Sequence, residues 1–139
     1  MKSARDPWSR KRFPEYPLWN RLKLARDWMP LNARRILDAG CSWGYGTRHF
    51  VGPDRIVSGV EFELEPVTIA KSRYPMIDFR CAPLEDLPSA DQSFVYITCA
   101  DVLEHVADPI LALNNLHRVL VEGGQLFIFN APKRDVQFP

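Results

Sequence analysis

The chain lacks the features that would mark a membrane span, a secretory signal, a disulfide framework or a metal centre. No stretch approaches the roughly 18 consecutive apolar residues of a membrane helix. The opening MKSARDPWSRKRF is basic, but no apolar run follows it, so it does not read as a secretory signal. The expectation is a cytoplasmic protein. Cysteine is scarce: Cys41, Cys81 and Cys99 are odd in number, far apart and without a CxxC pair. That spacing excludes a disulfide framework and reads as small buried hydrophobes. His49, His105 and His117 are too scattered to complete a zinc ligand set with them. No internal repeat or low-complexity tract is present.

What remains is ordinary for one globular domain: 139 residues, 46% hydrophobic and 25% charged. The net charge of +1 conceals an asymmetry. Residues 1–35 carry ten Lys/Arg against three acids, whereas residues 36–139 carry eight against fourteen. Such a leader either attracts an anionic partner, nucleic acid among them, or is a solvated arm that keeps the protein soluble. The reading is therefore a basic extension with a helix over 1–33 and a domain over 34–139.

Residues 18–29 place Leu18, Leu22, Ala25 and Met29 on one helical face, and Pro30 stops that helix. Short apolar runs then alternate with helical stretches. Ile36-Leu37 leads into Asp38; 56–60, 76–81, 94–99 and 125–129 read as further strands. Pro66 fits the first position of a helix over 66–73. Asp108-Pro109 opens another helix, with Ile110, Leu113, Leu116, Val119 and Leu120 inward and its end before Gly123-Gly124. Strand and helix in this alternation predict an α/β, Rossmann-like three-layer sandwich with a mainly parallel sheet of five visible strands. A ligand is expected at the carboxyl ends of the strands, beside the first.

The chemistry-bearing segment is ILDAGCSWGYGT over 36–47. Small residues at Gly40, Ser42, Gly44 and Gly46 let the chain turn sharply and admit a ligand against the backbone. A helix starting near Gly44 or Tyr45 would aim its N–H groups there. The register fails the dinucleotide fingerprint GxGxxG, because Ser42 and Tyr45 stand where glycines are required. Glu61 ends the second strand, where a carboxylate can accept hydrogen bonds from both hydroxyls of a ribose.

With these motifs, residues 34–132 resemble the class I S-adenosylmethionine (SAM)-dependent methyltransferases, especially the small-molecule group related to ubiquinone and menaquinone C-methyltransferases. ILDAGCSWGYG is similar to that family's first motif, GVEFELEP to the end of its second strand, and APLEDLPSADQSFVYI to the stretch that crosses the adenine. The long segment from Ala100 to Pro132 is similar to its later part. The resemblance implies methyl transfer to a small-molecule acceptor, with SAM as cofactor. Asp38, Gly40 and Gly44 would surround the methionine end, with backbone from Ala39 to Cys41. Glu61 would take the ribose and Phe62 the adenine face; Leu84 would offer its N–H to the ring. Pro83 stands where the family often has Asp, and Cys99 closes the fourth strand beside the same pocket. Ser42 replaces a usual glycine, a change that ordinary dihedrals would tolerate.

In the family two more strands follow the fifth, whereas here ten residues follow Phe129. The chain thus resembles the SAM-binding half, with an open strand edge that invites a homodimer. His105 and Asp101, after the fourth strand, are the candidates for general-base or acceptor contact, with a structural role for His105 as the competing reading. Trp43 and Tyr45 would either cover a sulfonium or pack. Tyr16, Trp19 and Trp28 would either line the acceptor side or fill the first helix's core face. The competing functions are a non-catalytic SAM-binding or assembly module and a nucleic-acid-binding methyltransferase subunit.

Overall fold

The computed structural model describes residues 19–130. The basic leader, Tyr16 and the last nine residues lie outside them, and so does the side chain of Trp19. Five strands form one wholly parallel sheet: β1 (Arg35–Ala39), β2 (Ile56–Glu61), β3 (Asp78–Cys81), β4 (Phe94–Ala100) and β5 (Leu120–Phe129), in the order β3-β2-β1-β4-β5. The chain winds outward from β1 to β3, then returns to β4 on the other side of β1. That reversal opens a crevice at the carboxyl ends of β1 and β4, where parallel α/β sheets bind ligands.

Three helices cover the two faces: α1 (Trp19–Trp28), α2 (Leu64–Arg73) and α3 (Pro109–Val119). Strand alternation sorts the core into two layers. Ile36 and Tyr96 pack with Ala25 of α1, Met29 just beyond it, and Val67 and Ala70 of α2. Leu37, Ala39, Ile97 and Cys99 pack with Ala112, Leu116 and Val119 of α3. β4 is apolar along nearly its whole length because it is covered on both sides. Tyr96 spends its buried hydroxyl on Ala25 O at 2.6 Å, which ties α1 to the sheet. Among the described residues, no helix is long and apolar enough to cross a membrane.

Four expectations are corrected. The glycine turn leads into a single 3-10 turn over Thr47–Phe50 and not an α-helix. Gly44 has φ +82°, outside the right-handed helical region, and Gly52-Pro53 leaves no room to extend. Pro66 is the third residue of α2, not the first; its missing N–H still falls among those with no intrahelical partner. Ile110 is exposed rather than inward, and Ala112 takes the buried position. Finally, α3 ends at Val119 and Leu120 is already extended, so Gly123-Gly124 lies inside β5. The pairing jumps from Phe94–Leu120 to Tyr96–Gln125, and Gly123 at φ +76° absorbs the extra residues as a bulge. β5 has β4 as its one sheet neighbour among the described residues.

Candidate functional site

The site begins where β1 runs out. Beyond Ala39 the chain must reverse, and Gly40 does so at φ +82°. The N–H groups of Gly40 and Cys41 both donate to Val60 O, at 2.8 and 3.0 Å, pinning the turn to β2. A side chain at position 40 would meet Val102 at once, so glycine is required for space as well as for conformation. Ser42 also adopts a left-handed backbone, φ +50°, contrary to the ordinary dihedrals expected of it. What holds it there is its own N–H, which donates to Glu61 Oε2 at 3.0 Å.

Glu61 is itself fixed by backbone. Oε1 accepts from Phe62 N–H at 2.9 Å and from Glu63 N–H at 3.2 Å, so main-chain donors orient both oxygens of the carboxylate. Asp38, four residues before Ser42, is held by hydroxyls. Thr47 Oγ1 donates to its Oδ2 at 2.7 Å and Thr98 Oγ1 to its Oδ1 at 3.1 Å. Both threonines are buried, and the mass of protein around Asp38 strips its carboxylate of water. Desolvation therefore raises the pKa of Asp38 above the usual carboxylate range; the two hydroxyls oppose the shift and Glu61 adds to it. The same burial pushes the Cys99 thiol up to about 12 and the Cys41 thiol higher still, with the negative charge of Asp38 adding to both. Neither thiol is a nucleophile near neutral pH.

Asp38, Gly40, Cys41, Ser42, Glu61 and Thr98 border a cavity of about 630 Å³ at the carboxyl ends of the strands, within the usual range for small-molecule sites. Over β2 and β3 its wall is Glu61, Phe62, Ala82, Pro83 and Leu84. Phe62 is 70% exposed, an apolar ring left at the rim. Over β4 and β5 the wall is Ala100, Asp101, Val102 and Phe127, with Arg21 and Leu22 of α1 above. Arg21 pairs with Asp101, and its guanidinium stacks 4.4 Å over Phe129. The loop carrying Pro83 and Leu84 is stitched to α3: Asn115 Nδ2 donates to Glu85 O at 2.7 Å, and Arg118 donates to Leu87 O and Ser89 O at 2.9 Å each.

With that geometry in place, residues 37–128 match the methyltransferase domain family. The chain belongs to this family. It is 32% identical over 111 residues to a ubiquinone biosynthesis O-methyltransferase of Coxiella burnetii, covering 77% of this chain and 47% of that protein. To a probable S-adenosylmethionine-dependent methyltransferase of Mycolicibacterium smegmatis it is 34% identical over 101 residues, covering 73% and 39%. Among solved structures, YcgJ from Bacillus subtilis superposes with a TM-score of 0.72 at 28% identity, covering 78% of this chain and 49% of that one. The chain thus spans less than half the length of these relatives. The family's cofactor is SAM.

This methyltransferase domain brings Asp38, Gly40, Cys41, Glu61, Phe62, Pro83 and Leu84 to one cavity, with Asp101 and His105 on its border. Three other candidates lie elsewhere. Ala39 and Cys99 are fully buried in the α3-side core. Gly44 faces inward, where a Cβ would lie 2.9 Å from Phe79 and 3.0 Å from Tyr74. Trp43 is buried, and Tyr45 accepts a hydrogen bond from Arg73 and meets Tyr74 edge to face, so neither lines the cavity. Trp28 is 66% exposed, with its ring edge on Phe127, and belongs neither to the core nor to the cavity wall. His105 is 76% exposed and lies 3.9 Å from Glu104 Oε1. Sequence reading missed Thr47, Thr98 and Val102 at the site, and Asn115 and Arg118 behind it. Only Val102 carried a signal, as the apolar residue next to Asp101 at a strand end.

Proposed function

We propose that this protein is a cytoplasmic SAM-dependent methyltransferase acting on a small-molecule acceptor. The observation that carries the proposal is Glu61: a carboxylate immobilised by three backbone N–H groups at the end of β2, facing a cavity of small-molecule size. A diol is the natural partner of a carboxylate so fixed, since each hydroxyl donates to one oxygen. Phe62 beside it offers a ring face to a heteroaromatic base, and the Gly40 turn brings bare backbone to the same space. Together these groups fit the adenosine and amino-acid ends of SAM.

SAM when bound supplies an activated methyl group and a good leaving group, so the protein's share is alignment and exclusion of water. The residues over β4 and β5 then form the acceptor side: Asp101 held by Arg21, with His105 at the rim. A relative named for ubiquinone biosynthesis O-methylation supports a small organic acceptor. Against nucleic acid stands the cavity's form, a recess of small-molecule size at the strand ends with Arg21, Leu22 and Ala25 of α1 in its wall.

Calorimetry of the folded protein with SAM and with S-adenosylhomocysteine tests the reading, with Glu61→Ala as comparison. Both ligands should bind, and the variant should weaken both by at least tenfold, equivalent to about 1.4 kcal/mol. Absence of binding to the wild-type protein would refute it.

A further inference from the structure

Arg21 and Asp101 form an ion pair on the cavity wall, and each is held in place by something other than its partner. Asp101 has a left-handed backbone, φ +56°, and its N–H donates to Phe129 O at 2.6 Å. A residue with a side chain keeps that conformation only where the surrounding structure enforces it. Arg21 comes from α1, and its guanidinium lies 4.4 Å over the Phe129 ring, which props one of its faces. Its Nη1 reaches Asp101, while Nε and Nη2 have no hydrogen-bond partner among the described residues. Supported in this way, the pair can open to a ligand while both charges keep their places.

The surroundings narrow what the pair can take. Beside it the wall is apolar, formed by Leu22, Ala25, Phe50, Val102 and Phe127. Among the described residues, Arg21 is the one Lys or Arg that borders the cavity, against Asp38, Glu61, Glu63, Glu85 and Asp101. An anion drawn to Arg21 would therefore lie against Asp101 and the other carboxylates, and like charges in contact repel strongly. A cation drawn to Asp101 would lie against Arg21. A molecule carrying both charges meets neither penalty: its carboxylate takes the open N–H groups of Arg21, and its ammonium takes Asp101. The planar guanidinium fork matches a carboxylate in shape as well as in charge.

We propose that Arg21 and Asp101 are the specificity-determining residues of the acceptor side, and that they select a zwitterion: an apolar α-amino acid, with its carboxylate on Arg21, its ammonium on Asp101 and its side chain against the apolar wall. The proposal rests on the methyltransferase reading above, which leaves the charge of the acceptor open.

Calorimetry on the full chain, saturated with S-adenosylhomocysteine, tests this with three matched probes. They are phenylalanine, phenethylamine, which lacks the carboxylate, and 3-phenylpropionate, which lacks the amino group. Phenylalanine should bind about ten- to hundredfold tighter than either of the others. In Arg21→Met the preference for phenylalanine over phenethylamine should vanish, and in Asp101→Asn the preference over 3-phenylpropionate should vanish. Both replacements suit their places, since methionine keeps the helix and the stem, and asparagine tolerates a left-handed backbone. Each result is a ratio within one variant, so a loss of stability does not imitate it, and either variant alone decides if the other does not fold. Equal affinity of wild type for all three probes, or ratios unchanged in both variants, would overturn the proposal. Tighter binding of phenethylamine or of 3-phenylpropionate than of phenylalanine would overturn it in favour of a singly charged ligand. Absence of phenylalanine binding to protein that does bind S-adenosylhomocysteine would overturn it while leaving the donor reading intact. Failure to bind S-adenosylhomocysteine would bring down the donor reading and this proposal with it.

Discussion

Gly40 and Val102 are packed so closely that a Cβ at position 40 would lie 2.1 Å from Val102 Cγ2. The turn after β1 and the loop after β4 are thus in register to within an atom, which makes the cavity's position beside β1 rigid. Gly40→Ala meets two penalties. Its φ of +82° costs a side-chain residue roughly 1–2 kcal/mol, and the overlap adds about 1–3 kcal/mol of overpacking. Urea denaturation should show a loss of about 2–5 kcal/mol, with ligand binding abolished. Adding Val102→Ala relieves the overlap but not the backbone strain, so the double variant should regain about half. Equal stability of the single and double variants would show that the overlap is not what matters.

Ser42 sits two residues further on in a left-handed conformation that glycine adopts freely. Ser42→Gly keeps the N–H that reaches Glu61 and removes strain of roughly 1–2 kcal/mol. Glycine's extra freedom in the unfolded chain takes back about 0.5–1 kcal/mol. A net gain of about 0.5–1 kcal/mol is expected, seen as a rise of a few degrees in thermal midpoint, with binding unchanged.

The strands were legible because a run covered on both faces is apolar throughout, as in Phe94–Cys99, and so cannot be mistaken for a surface segment. Glu61 was legible for the complementary reason: an acid that ends such a run has been placed at the strand's mouth. Other features depend on partners remote in the chain. Thr98 reads as an ordinary strand former, yet its hydroxyl serves Asp38 sixty residues earlier. Gly40 and Gly44 share φ +82°, but one abuts Val102 at the cavity and the other abuts Phe79 in the core. Spacing alone cannot say which faces a ligand. The Gly-Gly pair misled for a related reason, since glycine ends helices and forms strand bulges through the same left-handed geometry.

Stability should vary with pH through Asp38. Its pKa in the folded protein is raised from an ordinary 3.8, chiefly by burial. Its contribution is therefore fully present below pH 3.8 and is lost as pH rises through the raised value. Asp38→Asn does not titrate, so the stability difference in favour of the variant should grow with pH from about 4 and then level off. His49, whose pKa burial and nearby arginines lower, works the other way: its contribution holds above pH 6.5 and falls as pH drops through the lowered value. The Asn variant separates the two, because it leaves the His49 limb in place. A pH-independent difference between variant and wild type would contradict the assignment to Asp38.

The loop over Leu84–Asp86 depends on α3 for its shape. Asn115 donates to Glu85 O at 2.7 Å and accepts from Leu87 N–H at 3.3 Å, so one side chain satisfies a carbonyl and an amide that the loop cannot satisfy itself. Asn115→Leu keeps the bulk and removes both bonds, leaving two backbone groups unpaired at a cost of about 1–3 kcal/mol. The damage should stay local, because the buried contacts of α3 come from Ala112, Leu116 and Val119. Hydrogen exchange should speed up in residues 82–90 and not in β1 or β4. Since this wall lies on the far side of β1 from Asp101, loosening it should weaken SAM and S-adenosylhomocysteine by the same factor, several-fold. A variant of Asn115 that altered the ratio of the two affinities would show that the loop acts at the sulfur, where the two ligands differ, and not on the parts they share.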